Sequence, residues 1–165
     1  MKTAIYPGSF DPITLGHLNI IRRASLCFDK LIVCVLINSD KKSGLFLPEE
    51  RAELIRKVVA RLPNVEVDCS ATLLAEYARE KRACTLIKGL RAVSDYENEV
   101  QMALINRKLN PRLDTMFLPS STKYTYISSS VVKEMARYGS DLSDFVPREI
   151  IDDVNRRMQE QRRDG

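Results

Sequence analysis

Five short stretches of the chain are rich in apolar residues, and longer stretches with apolar residues at helical spacing separate them. The short stretches are Thr3 to Tyr6, Leu31 to Ile37, Val65 to Cys69, Thr85 to Lys88 and Thr115 to Leu118. The second reads Leu-Ile-Val-Cys-Val-Leu-Ile. That is the pattern of a strand buried on both faces, without the in-out alternation of a sheet with one wet face. Between the strands, His17 to Phe28 gathers Leu18, Ile20, Ile21, Ala24 and Leu26 into an apolar face. Pro48-Glu49-Glu50-Arg51 opens a second helix, with proline in the first turn and carboxylates where the dipole favours them. Leu54, Ile55, Val58, Val59 and Leu62 form its buried face. Leu73 to Lys81 is a third helix. Asp95 to Leu109 is a fourth, with Val100, Leu104 and Ile105 directed inward. A fifth begins near Ser129 and a sixth at Pro147.

Strands alternating with helices predict an α/β fold: a Rossmann-like, doubly wound, five-stranded parallel sheet with helices on both faces. No repeat, linker or break in composition divides residues 1–165, so one domain is expected, with 156–165 as a frayed basic tail. In such sheets ligands bind beyond the carboxyl ends of the strands, where the chain order reverses. The loops after the first, second, fourth and fifth strands are therefore the places for chemistry.

Composition narrows the class. The chain has 165 residues, 44% hydrophobic and 29% charged, which is ordinary for a globular domain. No apolar run approaches the ~20 residues of a membrane span. Met1 leads directly into the first strand without a signal-peptide pattern, so a cytoplasmic protein is expected. The net charge of +4 is mild, and part of it lies in Arg156, Arg157, Arg162 and Arg163 near the end. A solvated helix end accounts for that better than nucleic-acid binding, which calls for a concentrated basic stripe or interleaved aromatics. Cys27, Cys34, Cys69 and Cys84 show no paired spacing, and the chain has a single histidine, so structural thiols and no protein-held metal are expected.

The loop after the first strand runs Tyr6-Pro-Gly-Ser-Phe-Asp-Pro-Ile-Thr-Leu-Gly-His17. It delivers the only histidine to the start of a helix, where free amides and the dipole attract anions. A helix-capping or packed histidine is the alternative, and a Gly-His pair at a strand-to-helix loop weighs against it. Asn38 to Gly44 after the second strand carries Lys41 and Lys42, either of which can reach a phosphate from that edge or stand in a solvated loop. After the fourth strand, Lys88 and Arg91 flank Gly89 and Leu90. Lysine supplies a mobile point charge, and arginine a planar fork for phosphate. After the fifth strand, Ser128, Ser129 and Ser130 open a helix with hydroxyls and free amides together. They read as an N-cap or as a cradle for nucleotide phosphates.

These stretches, with Leu47-Pro-Glu-Glu-Arg51, Lys88-Gly-Leu-Arg-Ala-Val93, Tyr96-Glu97 through Glu99 and Tyr126-Ile-Ser-Ser-Ser130, resemble the phosphopantetheine adenylyltransferase family from residue 3 to about 155. Thr-x-Gly-His alone would indicate only the nucleotidyltransferase superfamily. The Lys-Gly-Leu-Arg and Ile-Ser-Ser-Ser segments are more specific. The resemblance implies transfer of an adenylyl group from ATP to 4′-phosphopantetheine, giving dephospho-coenzyme A and pyrophosphate. It also implies Mg2+ with the ATP and pyrophosphate, and a homohexamer. It places Ser9, Phe10, His17, Gly89, Leu90, Arg91, Glu99, Tyr124, Thr125, Tyr126, Ile127, Ser128, Ser129 and Ser130 on ATP. Ser9, Lys41, Leu74 and Lys88 fall on the pantetheine side. His17, Lys41, Arg91 and Ser129 fall at the chemistry, with His17 stabilising the transition state.

Two departures stand out. Position 88 is lysine where many family members carry arginine, which keeps the charge and loses the fork. The segment from Lys41 to Phe46 is one residue longer than in some relatives. Lys41 keeps its spacing from the second strand better than Lys42. Two other readings compete. One is a relative acting on nicotinamide mononucleotide, or on a polyol phosphate with CTP. The other is a nucleotide sensor or scaffold without catalysis.

Overall fold

The computed structural model describes residues 1–37 and 44–164. Lys41 and Lys42 lie outside the described residues. Five strands, β1 (Thr3–Gly8), β2 (Lys30–Leu36), β3 (Val65–Ser70), β4 (Thr85–Leu90) and β5 (Asp114–Pro119), form one parallel sheet in the order β3-β2-β1-β4-β5. The helices are α1 (Leu15–Ser25), α2 (Pro48–Val59), α3 (Leu74–Glu80), α4 (Val93–Leu109), α5 (Ser129–Arg137) and α6 (Ile151–Asp164). Single 3₁₀ turns span Thr122–Tyr124 and Arg148–Ile150.

Alternate residues of the strands feed two cores. Ala4 and Tyr6 of β1, with Leu31, Val33 and Val35 of β2, pack against α1, α2, α5 and α6. Ile5, Ile32, Cys34 and Leu86 pack on the other face against Ala75, Tyr77 and Ala78 of α3. Helices on both faces explain why β2 is apolar at every position. The doubly wound expectation holds, with the chain order reversing between β1 and β4. There the pairing is short. Only Ala4↔Thr85 and Ile5↔Leu86 are in register, whereas β1 and β2 pair along six residues. Beyond Ile5 and Leu86 the two carboxyl ends separate, and a crevice opens.

Three expectations change. Helix α1 begins at Leu15 because Thr14 caps it, and it ends at Ser25, leaving Leu26 88% exposed. In α4 the apolar stripe faces outward. Leu104 is 65% and Ile105 43% exposed, and Asn106 is the helix's buried residue. Helical spacing marks an apolar stripe without telling core from exposed surface. The basic end is helical, since α6 runs through Asp164. Arg157 donates to Glu50 at 2.9 Å and to the Leu45 carbonyl at 3.1 Å, and it lies over the Phe46 ring at 4.9 Å.

Candidate active site

A cleft of about 600 Å³ occupies the crevice beyond β1 and β4. Its lining comes from the β1 loop, the first turns of α1, the start of α2 and the segment before it, the ends of β4 and β5, and the first two turns of α4 and α5.

His17 sits at the amino end of α1 as the third residue after its cap. The Thr14 hydroxyl accepts the His17 backbone N–H at 3.2 Å, and the Thr14 backbone N–H donates to His17 Nδ1 at 3.0 Å. This is a reciprocal capping box with histidine in the place usual for glutamate. A backbone N–H can only donate, so Nδ1 is the acceptor and the ring proton resides on Nε2. Burial, with help from the positive Arg91, pushes the imidazole pKa down to about 4. The ring is therefore neutral near pH 7, with one N–H to give. It packs edge-on against Phe10 at 5.0 Å between centroids, and Phe10 packs likewise on Tyr6 at 5.3 Å.

Phe10 holds a left-handed backbone, φ 47°, and is 2% exposed. A side chain in that region costs on the order of 1 kcal/mol or more and persists where packing enforces it. The neighbouring loop is tied down from afar. Ser129 Oγ donates to the Pro12 carbonyl at 2.8 Å, joining α5 to the β1 loop. Ser128 caps α5 by accepting the Val131 N–H at 3.2 Å.

On the opposite wall the Lys88 ammonium lies 3.1 Å from Glu99 Oε2 and 3.5 Å from Oε1. The closer approach is a charge contact without hydrogen-bond alignment, so the buried Oε2 is left without a hydrogen-bond partner. Arg91 donates Nη1 to the Ile127 carbonyl at 3.3 Å, bridging β4 to the segment before α5. Its Nε lies 3.4 Å from Asp95. Tyr6 stays protonated, since burial pushes its phenol above the usual range, Glu99 adds to this, and Arg91 opposes it.

Among the described residues the lining carries four cations, Arg51, Lys88, Arg91 and Lys133, against Asp11, Asp95 and Glu99. Such a site suits a polyanion.

Twelve of the expected residues come together here: Ser9, Phe10, His17, Lys88, Gly89, Arg91, Glu99, Tyr124, Ile127, Ser128, Ser129 and Ser130. Four stand apart from the lining. Leu90 ends β4, Thr125 bonds the Thr122 carbonyl, Tyr126 is 59% exposed beside Phe145, and Leu74 packs on the smaller core. Lys41 lies outside the described residues.

Sequence reasoning missed Thr14, Asp11, Arg51, Asp95 and Lys133. Thr14 was legible, since a threonine three residues before the histidine has capping-box spacing. Asp11 was not, because it accepts the N–H groups of Leu45 and Phe46, each at 2.9 Å, from a distant stretch of chain.

An α/β sheet with its nucleotide crevice at the strand-order reversal, a Thr-x-Gly-His helix start and a cationic lining define a nucleotidyltransferase. Comparison with known proteins narrows the class. Residues 5–135 match the cytidylyltransferase-like family. A phosphopantetheine adenylyltransferase of Clostridium botulinum is 53% identical over 158 residues, 96% of each chain. Another, from Caldanaerobacter subterraneus subsp. tengcongensis, is 57% identical over 147 residues, 89% of this chain and 91% of that one. The chain belongs to the phosphopantetheine adenylyltransferase family. Solved structures share the fold at lower identity. A Vibrio parahaemolyticus protein described as a nicotinate-nucleotide adenylyltransferase superposes with TM-score 0.67 at 20% identity, over 95% of this chain and 96% of that one. A Thermoplasma volcanium lipopolysaccharide core biosynthesis protein gives 0.55 at 19% identity, over 73% and 97%.

Proposed function

We propose that the cleft transfers the adenylyl group of ATP to 4′-phosphopantetheine by one in-line displacement. The observation that carries this is the tautomer of His17: a neutral ring on the cleft wall, Nδ1 tied to Thr14, with Nε2–H left to donate. A non-bridging oxygen of the acceptor's phosphate attacks the α-phosphorus. The bond from that phosphorus to the β-phosphate bridging oxygen breaks, and pyrophosphate leaves. The attacking phosphate is already ionised, so no general base is needed. Catalysis rests on alignment and on charge stabilisation of the oxygens about the α-phosphorus. Nε2–H supplies one hydrogen bond there, and Lys88 and Arg91 supply positive charge.

Ser9, Phe10 and the Gly89–Arg91 turn contact ATP, as do Glu99 and the segment from Tyr124 to Ser130. Lys41, Leu74 and Lys88 take the pantetheine side. Mg2+ arrives as Mg–ATP and leaves with pyrophosphate. The cleft carboxylates Asp11, Asp95 and Glu99 face cations of the protein.

The same reading makes the protein a cytoplasmic homohexamer. Its four cysteines are free thiols, and no helix among the described residues is long and apolar enough to cross a membrane. Val93, Tyr96, Met102, Leu104, Ile105 and Leu109 on α4, with Met116 on β5, leave a large apolar surface that a second copy can cover.

The acceptor assignment is tested by pyrophosphate release from ATP with 4′-phosphopantetheine, nicotinamide mononucleotide or glycerol 3-phosphate. Release with the first alone is expected. Tight ATP binding with no release from the first would sink the reading.

A further inference from the structure

We propose that Asp11 is a positioning residue for the polyphosphate: its buried carboxylate holds the Lys133 ammonium at the cleft, where that ammonium binds the phosphates that leave as pyrophosphate. This rests on the adenylyl-transfer reading and deepens it.

Asp11 is 6% exposed and serves four donors from three separate parts of the fold. Oδ2 accepts the Leu45 N–H and Oδ1 the Phe46 N–H. Arg51 Nε lies 3.3 Å from Oδ1, and Lys133 Nζ lies 3.4 Å from Oδ2. A buried carboxylate with two amide donors and one guanidinium is already well compensated. The second cation therefore leaves the cluster with a surplus positive charge facing the cleft.

The two cations are not equivalent. The Arg51 side chain is 13% exposed, and its donors are committed to the protein. Nε donates to the Phe46 carbonyl at 2.8 Å and Nη1 to the Ser9 carbonyl at 3.3 Å. Its guanidinium also fills the space beside Gly44, where an added Cβ would fall 2.1 Å from Nη2. Arg51 is thus part of the wall. Lys133 is one-third exposed, and among the described residues its polar contact is with Asp11. An ammonium has three N–H donors, so one can stay on Asp11 while others reach a ligand. Lys133 lies one helical turn beyond Ser129 on α5 and therefore on the same face. Ser129, Ser130 and Lys133 all line the cleft. The flexible stem of that lysine is held toward the cleft by its contact with Asp11.

The test compares Asp11→Asn, Lys133→Met and the double variant. The readouts are inorganic pyrophosphate affinity by calorimetry and the KM values for ATP and for 4′-phosphopantetheine. Losing one charge-assisted contact corresponds to a loss of roughly tenfold or more in affinity. Each single variant is expected to weaken pyrophosphate and ATP by that factor and to leave the acceptor's KM in place. The double variant is expected to be no weaker than Lys133→Met, because Asp11 acts through Lys133. A general structural lesion would disturb both substrates alike. Wild-type pyrophosphate affinity in Lys133→Met, or losses that multiply in the double variant, overturns the proposal. Lys133→Met changes a partly exposed helix residue and keeps the test decisive if Asp11→Asn folds poorly. Failure of the acceptor reading appears separately, as absent turnover in the wild type with pyrophosphate binding intact.

Discussion

At the scale of single residues, the proposed chemistry depends on which nitrogen of His17 carries the proton, and the Thr14 backbone N–H, by donating to Nδ1, leaves it on Nε2. His17→Ala removes the Nε2–H donor without touching the nucleotide's other contacts. ATP affinity by calorimetry is expected to stay within a few-fold, while turnover falls ~10²–10³-fold, as for loss of one preorganised donor. Equal losses in both would make His17 a binding or structural residue.

The same depressed pKa sets two pH dependences. The ring is neutral above about 4, so the pH profile of kcat/KM should show no His17 inflection between pH 5 and 8. An imidazole NMR titration of the free protein would show the transition near 4. For stability the unfolded ring, with a pKa near 6.5, binds its proton more readily than the folded one. The contribution is therefore fully present above the unfolded value and declines as pH falls from about 6.5 to about 4. Denaturant midpoints across that range would reveal it.

The histidine, the cations at the end of β4 and the α5 serines were legible in the sequence because each lies at the carboxyl end of a strand or in the connection that follows it, where this architecture puts ligands. The carboxylate that organises the cleft was not. Asp11 meets Leu45, Arg51 and Lys133, contacts that only the folded chain creates.

At the scale of elements, the alternation of apolar runs and helical stripes was enough to place every strand to within a residue or two. It failed where an element's partner is not a sheet face. The stripe of α4 has the right spacing and the wrong side, because spacing records amphipathicity and not the identity of the neighbour. The basic end of α6 looks like a solvated tail, since Glu50 and Phe46 lie far away in sequence. There Arg157 brackets the segment before α2 from outside while Asp11 secures it from inside. Arg157→Met removes a partly exposed ion pair and a cation–π contact. It should cost on the order of 1–2 kcal/mol, read as a lower denaturant midpoint. An unchanged midpoint would mean that α6 contributes through its apolar face alone.

At the scale of the whole molecule, the short β1–β4 pairing and the outward stripe of α4 divide the labour of the fold. One opens the crevice, and the other leaves an exposed apolar surface, which the proposed hexamer would cover. Light scattering should give about six times the 18.8 kDa of one chain. Leu104→Glu combined with Ile105→Glu, two charges on that stripe, should reduce the mass. An assembly of undiminished mass would place the subunit contact elsewhere.

The central claim, a single displacement at the α-phosphorus with no covalent intermediate, is tested most directly by stereochemistry. The (Sp) diastereomer of ATPαS would be turned over with 4′-phosphopantetheine, and the thio-dephospho-coenzyme A product assigned by phosphorus NMR. Inversion at the α-phosphorus is expected. Retention of configuration would show two displacements through an adenylylated residue and would contradict the assignment of His17 as a donor.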